Sequence, residues 1–465
     1  MDRDVELLAV GAGPSNLALA VALEELAPDD LAKGSLVVER RDAVEWQQGL
    51  LLPWAKSQVS FLKDLVTLRD PCSAFSFLSY LHANGRLDDF INMGSFMPYR
   101  MEISGYLQWV ADSLSKVRVE LGRTCTSIEP IRDGSGMLTG WLTQLADGTS
   151  ITSRYLVIGT GRDPHVPPVL TALPAGRVTH STQYRFRMAD LPRDRPCRVA
   201  VVGSGQSAAE MFRSVQEDLP DAEVTWVMRS IGLRSYEMSK FINERYFPSH
   251  IDAFFGARPE GRQQILREMH HTNYSGLAPS LLESIYTDLY LERFAGIERT
   301  RIVTMTDITA AREVDDEVVL DLTDRRTGRV TELPCDLIFC GTGFSRAMPR
   351  LVTSLGAALG LDGISVTRHY RLVTDEPAAG ACYLQGVNEA THGIADSLLS
   401  VLGHRAADIA QDILGHRAAA GTGHDGHAGH AGHVNGDRPV AGIRPASEAI
   451  PLAALPISPG RDRFA

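Results

Sequence analysis

Two glycine-rich turns, each between a hydrophobic strand and a helical run, constrain the fold of this chain most. The first reads G-A-G-P-S-N at residues 11–16, and the second reads G-S-G-Q-S-A at residues 203–208. Glycines at the first and third positions permit a tight turn and let the backbone approach a pyrophosphate at a helix N-terminus. One such turn is a weak signal, because G-x-G also occurs by chance. Two in one chain predict two dinucleotides held face to face, an arrangement suited to hydride transfer.

The residue after the second strand of each unit indicates which dinucleotide binds there. In the first unit this residue is Glu39, and a carboxylate at that position accepts hydrogen bonds from a ribose. In the second unit it is Arg229, and a guanidinium there suits a 2′-phosphate. The sequence therefore favours NADPH over NADH. An exposed side chain without a ligand is the alternative for both residues.

Composition excludes several other classes of protein. The chain has 465 residues, of which 44% are hydrophobic, so it can bury a large core in two or three domains. A net charge of -11 argues against binding to nucleic acid or to an anionic membrane. We find no apolar window of membrane-spanning length, and the acidic N-terminus does not resemble a signal peptide. The six scattered cysteines argue against disulfide and zinc roles and favour a cytoplasmic protein.

Two further turns, G-T-G at residues 159–161 and at 341–343, each follow a hydrophobic strand. In flavoproteins with two dinucleotides, such turns mark where the chain passes between the two domains. We therefore predict an α/β fold of two Rossmann-like domains, with the NADPH domain inserted in the FAD domain. The FAD domain is expected at 1–189 and 341–415, the NADPH domain at 190–340, and a disordered tail at 416–465. The tail is rich in His, Gly and Ala, which favours low-complexity sequence over a metal site.

Segments outside the glycine turns carry a more specific signal. They are W-Q-Q-G-L-L-L-P at 46–53, Q-V-S-F-L-K-D-L at 58–65, R-D-P at 69–71, K-F-I-N-E at 240–244, H-T-N-Y-S at 271–275 and N-E-A-T-H-G-I-A-D-S-L-L-S at 388–400. Together they resemble the microbial L-ornithine and L-lysine N-hydroxylases, flavin monooxygenases of hydroxamate siderophore pathways. The resemblance runs in order from residue 5 to about residue 412. Asn16, which departs from the general glycine fingerprint, is also typical of this family.

The resemblance implies a reaction carried by the flavin. NADPH reduces FAD, oxygen adds to give a C4a-hydroperoxyflavin, and the neutral side-chain amine of the substrate attacks its distal oxygen. No residue is expected to act as a catalytic acid or base, because the cofactor carries the chemistry. An alkylamine has a pKa of about 10.4, so the site should desolvate it and keep carboxylates away. The expected product is N-hydroxyornithine for a hydroxamate siderophore or a related natural product.

The family's substrate residues correspond to four positions here. Lys63, Asn243 and Asn273 are expected to bind the α-carboxylate and α-amine, and Ser400 is expected near the side-chain amine. A lysine ammonium forms a charge-assisted bond with a carboxylate. The alternative for Lys63 is a surface ion pair with Asp64, and for Asn273 it is a helix cap or a turn.

The glycine fingerprints and the resemblance together give the expected cofactor contacts. For FAD they are Gly11, Gly13, Pro14, Asn16, Glu39, Trp46, Gln58, Asp396, Ser397 and Leu398. For NADPH they are Gly203, Gly205, Gln206, Ser207 and Arg229. His180 lies in a stretch that partly resembles the G-x-x-x-H-x-x-x-[WY] segment of class B flavin monooxygenases, and we expect a structural interdomain role for it. We expect no metal site.

Several alternatives remain open at this point. We favour ornithine because T-N-Y-S and D-S-L-L-S resemble the ornithine group, but one methylene discriminates by only about 1 to 3 kcal/mol. Lysine is therefore the main alternative, ahead of putrescine or cadaverine. A disulfide reductase shares the two-dinucleotide plan but needs a redox cysteine pair, whereas Cys72 stands alone. A redox sensor or metal-binding protein would not need the substrate residues. The family also implies a homo-oligomer such as a tetramer.

Overall fold

The computed structural model describes residues 2–192, 196–237, 239–274, 276–375 and 378–421, which form helices and several sheets. The strands are β1 Asp2–Val10, β2 Ser35–Val38, β3 Arg118–Glu120, β4 Cys125–Arg132, β5 Leu138–Leu145, β6 Ser150–Ile158, β7 Val178–His180, β8 Arg198–Val202, β9 Glu223–Val227, β10 Arg234–Ser235, β11 Gly276–Leu277, β12 Thr300–Val303, β13 Thr306–Val314, β14 Glu317–Asp324, β15 Val330–Cys335, β16 Leu337–Cys340 and β17 Ala381–Leu384. The α-helices are α1 Pro14–Leu26, α2 Asp29–Lys33, α3 Phe77–Ala83, α4 Leu87–Met93, α5 Arg100–Ser113, α6 Tyr184–Asp190, α7 Gln206–Asp218, α8 Lys240–Asn243, α9 Ile251–Phe255, α10 Pro259–Asn273, α11 Pro279–Phe294, α12 Arg350–Ala358, α13 Glu389–His392 and α14 Leu402–Gly421. Short 3-10 turns cover Gln48–Leu50, Phe61–Lys63, Pro168–Leu170, Ser181–Gln183, Glu244–Tyr246, Pro248–His250, Ile394–Ser397 and Leu399–Val401.

The first sheet has the strand order β3-β2-β1-β6-β5-β4, and β17 also pairs with β6. Strands β3, β2, β1, β6 and β17 are parallel, while β5 and β4 add an antiparallel extension. The run from Leu7 to Val10 is buried and apolar throughout, as expected of a strand with parallel neighbours on both sides. The first predicted Rossmann unit is thus present as strand, glycine turn and helix α1.

The second sheet is entirely parallel, with the order β12-β9-β8-β16-β7. Strand β8 runs through the second glycine turn into α7, so the second predicted unit is also present. Strand β7 comes from residues 178–180, whereas the second domain was expected to begin at 190. The reason is pairing in the sheet: β7 aligns with β16, a contact between distant segments that leaves no local pattern.

Each glycine turn packs against a different G-T-G turn. Gly11 has φ +94°, and a Cβ there would lie 2.9 Å from the carbonyl oxygen of Gly159. Gly203 has φ +126°, and its Cβ would lie 2.3 Å from the carbonyl oxygen of Gly341. Only glycine combines this backbone conformation with so close an approach. The two units therefore share one construction.

The chain passes between the two sheets at the G-T-G turns. The segments that follow these turns lie side by side, with His165 N donating to Gly343 O at 2.9 Å and Ser345 N donating to Asp163 O at 2.8 Å. Residues 164 and 344 form an antiparallel bridge between these two donor pairs. The outgoing and returning connections therefore support each other.

Helix α14 continues beyond the predicted start of the tail. His416 Nδ1 lies 3.2 Å from the hydroxyl of Tyr155, and Arg417 pairs with Glu6 at 3.2 Å. The boundary at 416 was thus placed too early, because these two side chains pack on the first sheet. The rest of that tail, residues 422–465, lies outside the described residues. Among the helices that are described, we find none with the length and apolar character needed to cross a membrane.

A buried polar network joins the first glycine turn to the C-terminal part of the chain. The Asn16 amide donates to the carbonyls of Val10 and Gly11 at 2.9 and 2.7 Å, and its oxygen accepts from Gln385 at 2.8 Å. Gln385 in turn accepts from Arg405 Nε at 3.1 Å. This chain of hydrogen bonds holds the carbonyl of Gly11 in place from the protein interior.

Arg405 is the centre of this network. It pairs with Asp396 at 3.0 Å and donates to the hydroxyl of Ser15 at 2.7 Å. Asp396 also accepts from the backbone N–H of Asn388 at 2.7 Å. Arg405 and Asp396 are both buried, so each charge depends on the other for compensation.

Replacing Arg405 with Met should therefore destabilise the protein. The substitution leaves the Asp396 carboxylate buried without its cation, and breaking a buried pair in this way costs about 3 to 5 kcal/mol. Urea unfolding should show the loss, and flavin absorbance of the purified protein should fall with it. Arg405→Lys keeps the charge but not all three contacts, so its stability should lie between those of the wild type and Arg405→Met. Wild-type stability in Arg405→Met would contradict this role for the pair.

Candidate active site

A cleft of about 2200 Å³ is lined by both glycine turns and by most of the predicted site residues. The predicted residues on its wall are Gly11, Gly13, Pro14, Glu39, Trp46, Gln58, Lys63, Gly203, Gly205, Gln206, Ser207, Arg229, Asn243, Asn273, Ser397, Leu398 and Ser400. These residues come from distant parts of the sequence and from elements attached to both sheets. The fold thus brings together the groups that were expected to bind cofactor and substrate.

Asn16 and Asp396 do not line the cleft, unlike the direct contacts expected of them. Both are buried in the network beneath the first glycine turn. Asn16 faces the interior because its side chain lies against Gly159, where a Cβ would meet it at 2.7 Å. These two residues support the cleft wall from the protein interior.

Both glycine turns leave a helix N-terminus open to the cleft. Helix α1 starts at Pro14 and helix α7 at Gln206, and neither has a side-chain cap. The first N–H groups of a helix have no partner within the helix, and they carry the positive end of its dipole. Each helix can therefore receive a pyrophosphate, which is the property that a dinucleotide requires.

The two strand-end residues differ in their surroundings. Glu39 lies at the first turn and accepts from the backbone N–H groups of Ala12 and Arg41 at 2.8 and 3.1 Å. Arg229 is exposed and lies near Asp307, whose pKa is lowered by its ion pair with Arg325 and further by the charge of Arg229. The second site therefore offers a guanidinium at its rim, as the sequence predicts for a 2′-phosphate.

Lys63 ends a 3-10 turn and lies partly buried on the cleft wall. Burial lowers the pKa of its ammonium. Its alternative partner is engaged elsewhere, because Asp64 accepts from the backbone N–H groups of Val66 and Phe77 at 2.9 and 2.7 Å. The surface ion pair considered for Lys63 is therefore not formed.

The other three predicted substrate residues also lie at element ends. Asn243 ends α8, and Asn273 is the last residue of α10, so Asn273 combines a helix-end position with a place on the cleft wall. Ser400 is 2% exposed, and its hydroxyl has no hydrogen-bond partner among the described residues. A buried polar atom without a partner is costly, so this hydroxyl is available to a ligand.

Gln206, which is predicted at the NADPH phosphates, also contacts residues of both glycine units through its side chain. Its carboxamide oxygen accepts from Gln58 Nε2 at 3.2 Å and from the backbone of Ala278 at 2.9 Å. Its Nε2 donates to Glu210 at 2.9 Å, and Glu210 pairs with the buried Arg100 at 2.6 Å. The side chain of Gln206 thus joins the two glycine units, and its backbone N–H remains for a phosphate.

Glu389 is a cleft residue that the sequence did not single out. Its Oε1 accepts from the hydroxyl of Tyr274 and from Ser397 Oγ at 2.7 Å. Burial and the neighbouring carboxylate raise the pKa of Tyr274, so the phenol stays protonated as the donor. Glu389 lies within one of the segments that carry the family resemblance, but an acid beside an asparagine has no local signature of its own.

His180 lies at the junction of the two connections. Its Nε2 donates to the carbonyl of Gly343 at 2.9 Å, and its Nδ1 lies 3.1 Å from Thr182 Oγ1. Burial lowers its pKa, which favours the neutral ring. Both ring nitrogens are occupied, and this arrangement fits the structural role expected from the sequence.

The thiols do not form a redox pair in the cleft. All six cysteines are free, and Cys125 is the one that lines the cleft within the described residues. Burial raises the pKa of Cys125 to about 11, so the thiol is protonated and unreactive at neutral pH. The Cys125 thiol is therefore unsuited to dithiol redox chemistry.

The shared cleft and the two matching glycine turns define an oxidoreductase of the two-dinucleotide class. The chain belongs to the L-lysine 6-monooxygenase/L-ornithine 5-monooxygenase family, whose model matches residues 3–346. This membership agrees with the resemblance seen in the sequence.

Individual relatives support the same placement. An L-ornithine N(5)-monooxygenase of Pseudomonas aeruginosa is 38% identical over 408 residues, which cover 86% of this chain and 91% of the relative. The structure of an ornithine N-hydroxylase from Kutzneria sp. 744, with reduced FAD, NADP+ and L-ornithine, has a TM-score of 0.83 at 33% identity and covers 89% of this chain and 100% of its own. An L-lysine 6-monooxygenase from Pseudomonas syringae has a TM-score of 0.78 at 30% identity, with 89% and 99% covered.

Gly203→Ala should weaken use of NADPH while FAD stays bound. The added Cβ would meet the backbone of Gly341, and φ +126° is strained for alanine. We expect the NADPH concentration for half-maximal flavin reduction to rise at least about tenfold, since misplacing the turn by an ångström costs on that order. Gly232→Ala is the control, because a Cβ there meets nothing within 4 Å. Equal loss in both variants, or unaltered reduction in Gly203→Ala, would refute the role of this turn.

Proposed function

We propose that this protein hydroxylates the side-chain nitrogen N5 of L-ornithine, using FAD, NADPH and O2. The observation that carries the proposal is the single cleft, in which Lys63, Asn243, Asn273 and Ser400 lie together with both glycine turns. The relative from Pseudomonas aeruginosa and the Kutzneria protein are also ornithine enzymes. The product would supply the hydroxamate precursor of a siderophore or a related compound.

The residues present fit the two cofactors. FAD would lie at the first glycine turn, with its pyrophosphate at α1 and its ribose near Glu39. NADPH would lie at the second turn, with its pyrophosphate at α7 and its 2′-phosphate near Arg229. FAD, once reduced by NADPH, supplies the oxygen chemistry. The protein binds, orients and excludes water. In this proposal the first sheet and its connections form the FAD domain and the second sheet forms the inserted NADPH domain.

The substrate would be held by charge at one end and by burial at the other. The Lys63 ammonium binds the α-carboxylate through charge-assisted bonds, and the amides of Asn243 and Asn273 bind the α-substituents. The hydroxyl of Ser400 accepts from or donates to the side-chain amine. A partly buried position favours the neutral amine, which is the form that can react.

Several carboxylates line the cleft. The one nearest in sequence to Ser397 and Ser400 is Glu389, and its Oε1 is already occupied by Tyr274 and Ser397. An engaged carboxylate stabilises an ammonium less than a free one does.

Ornithine, lysine and putrescine assayed side by side test the proposal directly. We expect hydroxylated product from L-ornithine with a kcat/KM at least about tenfold above lysine, since one methylene is worth about 1 to 3 kcal/mol. Putrescine, which lacks the α-carboxylate, should be poorer still. Hydroxylated amine must be measured, because NADPH consumption alone also reports uncoupled oxidation. Faster product formation from lysine would reassign the substrate, and no product from any amine would refute the function.

Lys63→Ala should raise the KM for ornithine steeply and leave flavin reduction by NADPH nearly intact. Removing a charge-assisted bond costs about 1.5 to 3 kcal/mol, which corresponds to roughly 10- to 150-fold. Stopped-flow reduction without amino acid separates the two steps. Equal losses in reduction and in substrate affinity would contradict the assigned role. As a control, Lys33→Ala removes an exposed ammonium, paired with Asp29, that does not line the cleft.

A further inference from the structure

The ammonium of Lys63 faces an aromatic ring instead of a carboxylate. Its Nζ lies 4.6 Å from the centroid of the Phe247 ring, within the range of a cation–π contact. Among the residues that the structure describes, no aspartate or glutamate pairs with this ammonium. The contact joins the segment of Lys63, before α3, to a segment that follows α8.

The type of partner matters for a residue that must bind an anion. A carboxylate would neutralise the ammonium and occupy its N–H donors. The face of a ring attracts the cation through its quadrupole and accepts no conventional hydrogen bond. The N–H donors of Lys63 that point away from the ring therefore remain for an incoming carboxylate. Because partial burial disfavours the charged form of lysine, an interaction that favours that form keeps the site cationic.

The short turn that precedes Phe247 is held by the element that carries Asn273. The preceding residue, Tyr246, is buried, and its hydroxyl lies 2.5 Å from Thr272 Oγ1 on α10. The backbone N–H of Phe247 donates to Glu244 O at 3.2 Å and closes a short turn after Asn243. The backbone that carries the ring is thus tied to the segments of both asparagines that are proposed to bind the substrate, and the ring itself is 36% exposed. The contact of the ring with Lys63 links the ammonium to the segments that carry these asparagines.

We propose that Phe247 is a positioning residue that determines specificity: its ring holds the Lys63 ammonium charged and free of a carboxylate, so that the cleft prefers α-amino acids to simple diamines. This inference rests on the proposed function, in which Lys63 binds the α-carboxylate. Phe247 touches neither the reacting nitrogen nor a cofactor in this scheme. It acts through Lys63.

Phe247→Leu removes the ring and keeps an apolar side chain of similar size. We expect the KM for L-ornithine to rise about 3- to 10-fold, the range of a partly desolvated cation–π contact, with kcat unchanged. Putrescine, measured as substrate or as competitive inhibitor, should bind as it does to the wild type. Phe247→Tyr, which keeps the ring, should restore the ornithine KM to within about twofold. FAD content, flavin reduction by NADPH and the melting temperature should not change in either variant.

Phe294→Leu is the matched control, because this phenylalanine is 82% exposed on α11 and does not line the cleft. Introducing Phe247→Leu into Lys63→Ala should have no further effect on the ornithine KM, since the ring acts through the ammonium. Should Phe247→Leu fold poorly, Phe247→Met provides the same comparison.

Three results would overturn the inference. They are an unchanged ornithine KM in Phe247→Leu, an equal rise for ornithine and putrescine, and an additive effect on Lys63→Ala. A loss of kcat and FAD together would likewise show a merely structural role. Failure of the proposed function is separate, because it appears as absence of hydroxylated ornithine from the wild-type enzyme.

Discussion

The buried ion pair between Arg405 and Asp396 is the interaction on which the first nucleotide site most depends. It lies where three distant parts of the chain meet: the first glycine turn, the segment after β17 and helix α14. A buried pair adds little net stability compared with apolar packing, but removing either partner is costly. Its contribution here is geometric, because through Gln385 and Asn16 it holds the carbonyl of Gly11 in place.

The second nucleotide site is held in a different way. Ala208 occupies the position that corresponds to Asn16, and it packs directly against Gly341, where a Cβ would meet its Cα at 2.5 Å. Close packing of Ala208 and the hydrogen bond from Trp226 Nε1 to the carbonyl of Gly203 at 2.6 Å therefore do for the second turn what the Asn16 network does for the first. The bonds from Gln206 to Gln58 and from Glu210 to Arg100 then connect the two units. The first site is held by hydrogen bonds within its own unit. The second site is held partly by its bonds to the first unit.

Local patterns and the family resemblance were sufficient to predict the two strand–turn–helix units, the G-T-G connections and a set of residues of which most line the cleft. They were insufficient wherever a residue's partner lies far away in sequence. Gln385 and Asn16 are 369 positions apart, and Arg100 and Glu210 are 110 apart. Neither pair leaves a periodic or compositional trace, so the network beneath the first turn and the bonds between the two units were not predicted. The pairing of β7, which lies before residue 190, with β16 was likewise not predicted.

The partners of the charged groups in the cleft explain how one of its cations stays open to an anionic substrate group. Three carboxylates on the wall are engaged by neighbours: Glu39 by backbone N–H groups, Asp307 by Arg325, and Glu389 by two hydroxyls. Lys63 instead has the face of Phe247, which leaves its donors open. Coulomb interactions in a partly desolvated cleft are stronger than in water, so the open Lys63 ammonium attracts an anionic group that reaches it. The α-carboxylate then enters at Lys63, and the far end of the substrate, which needs to be neutral, reaches the part of the cleft where the partnerless hydroxyl of Ser400 lies.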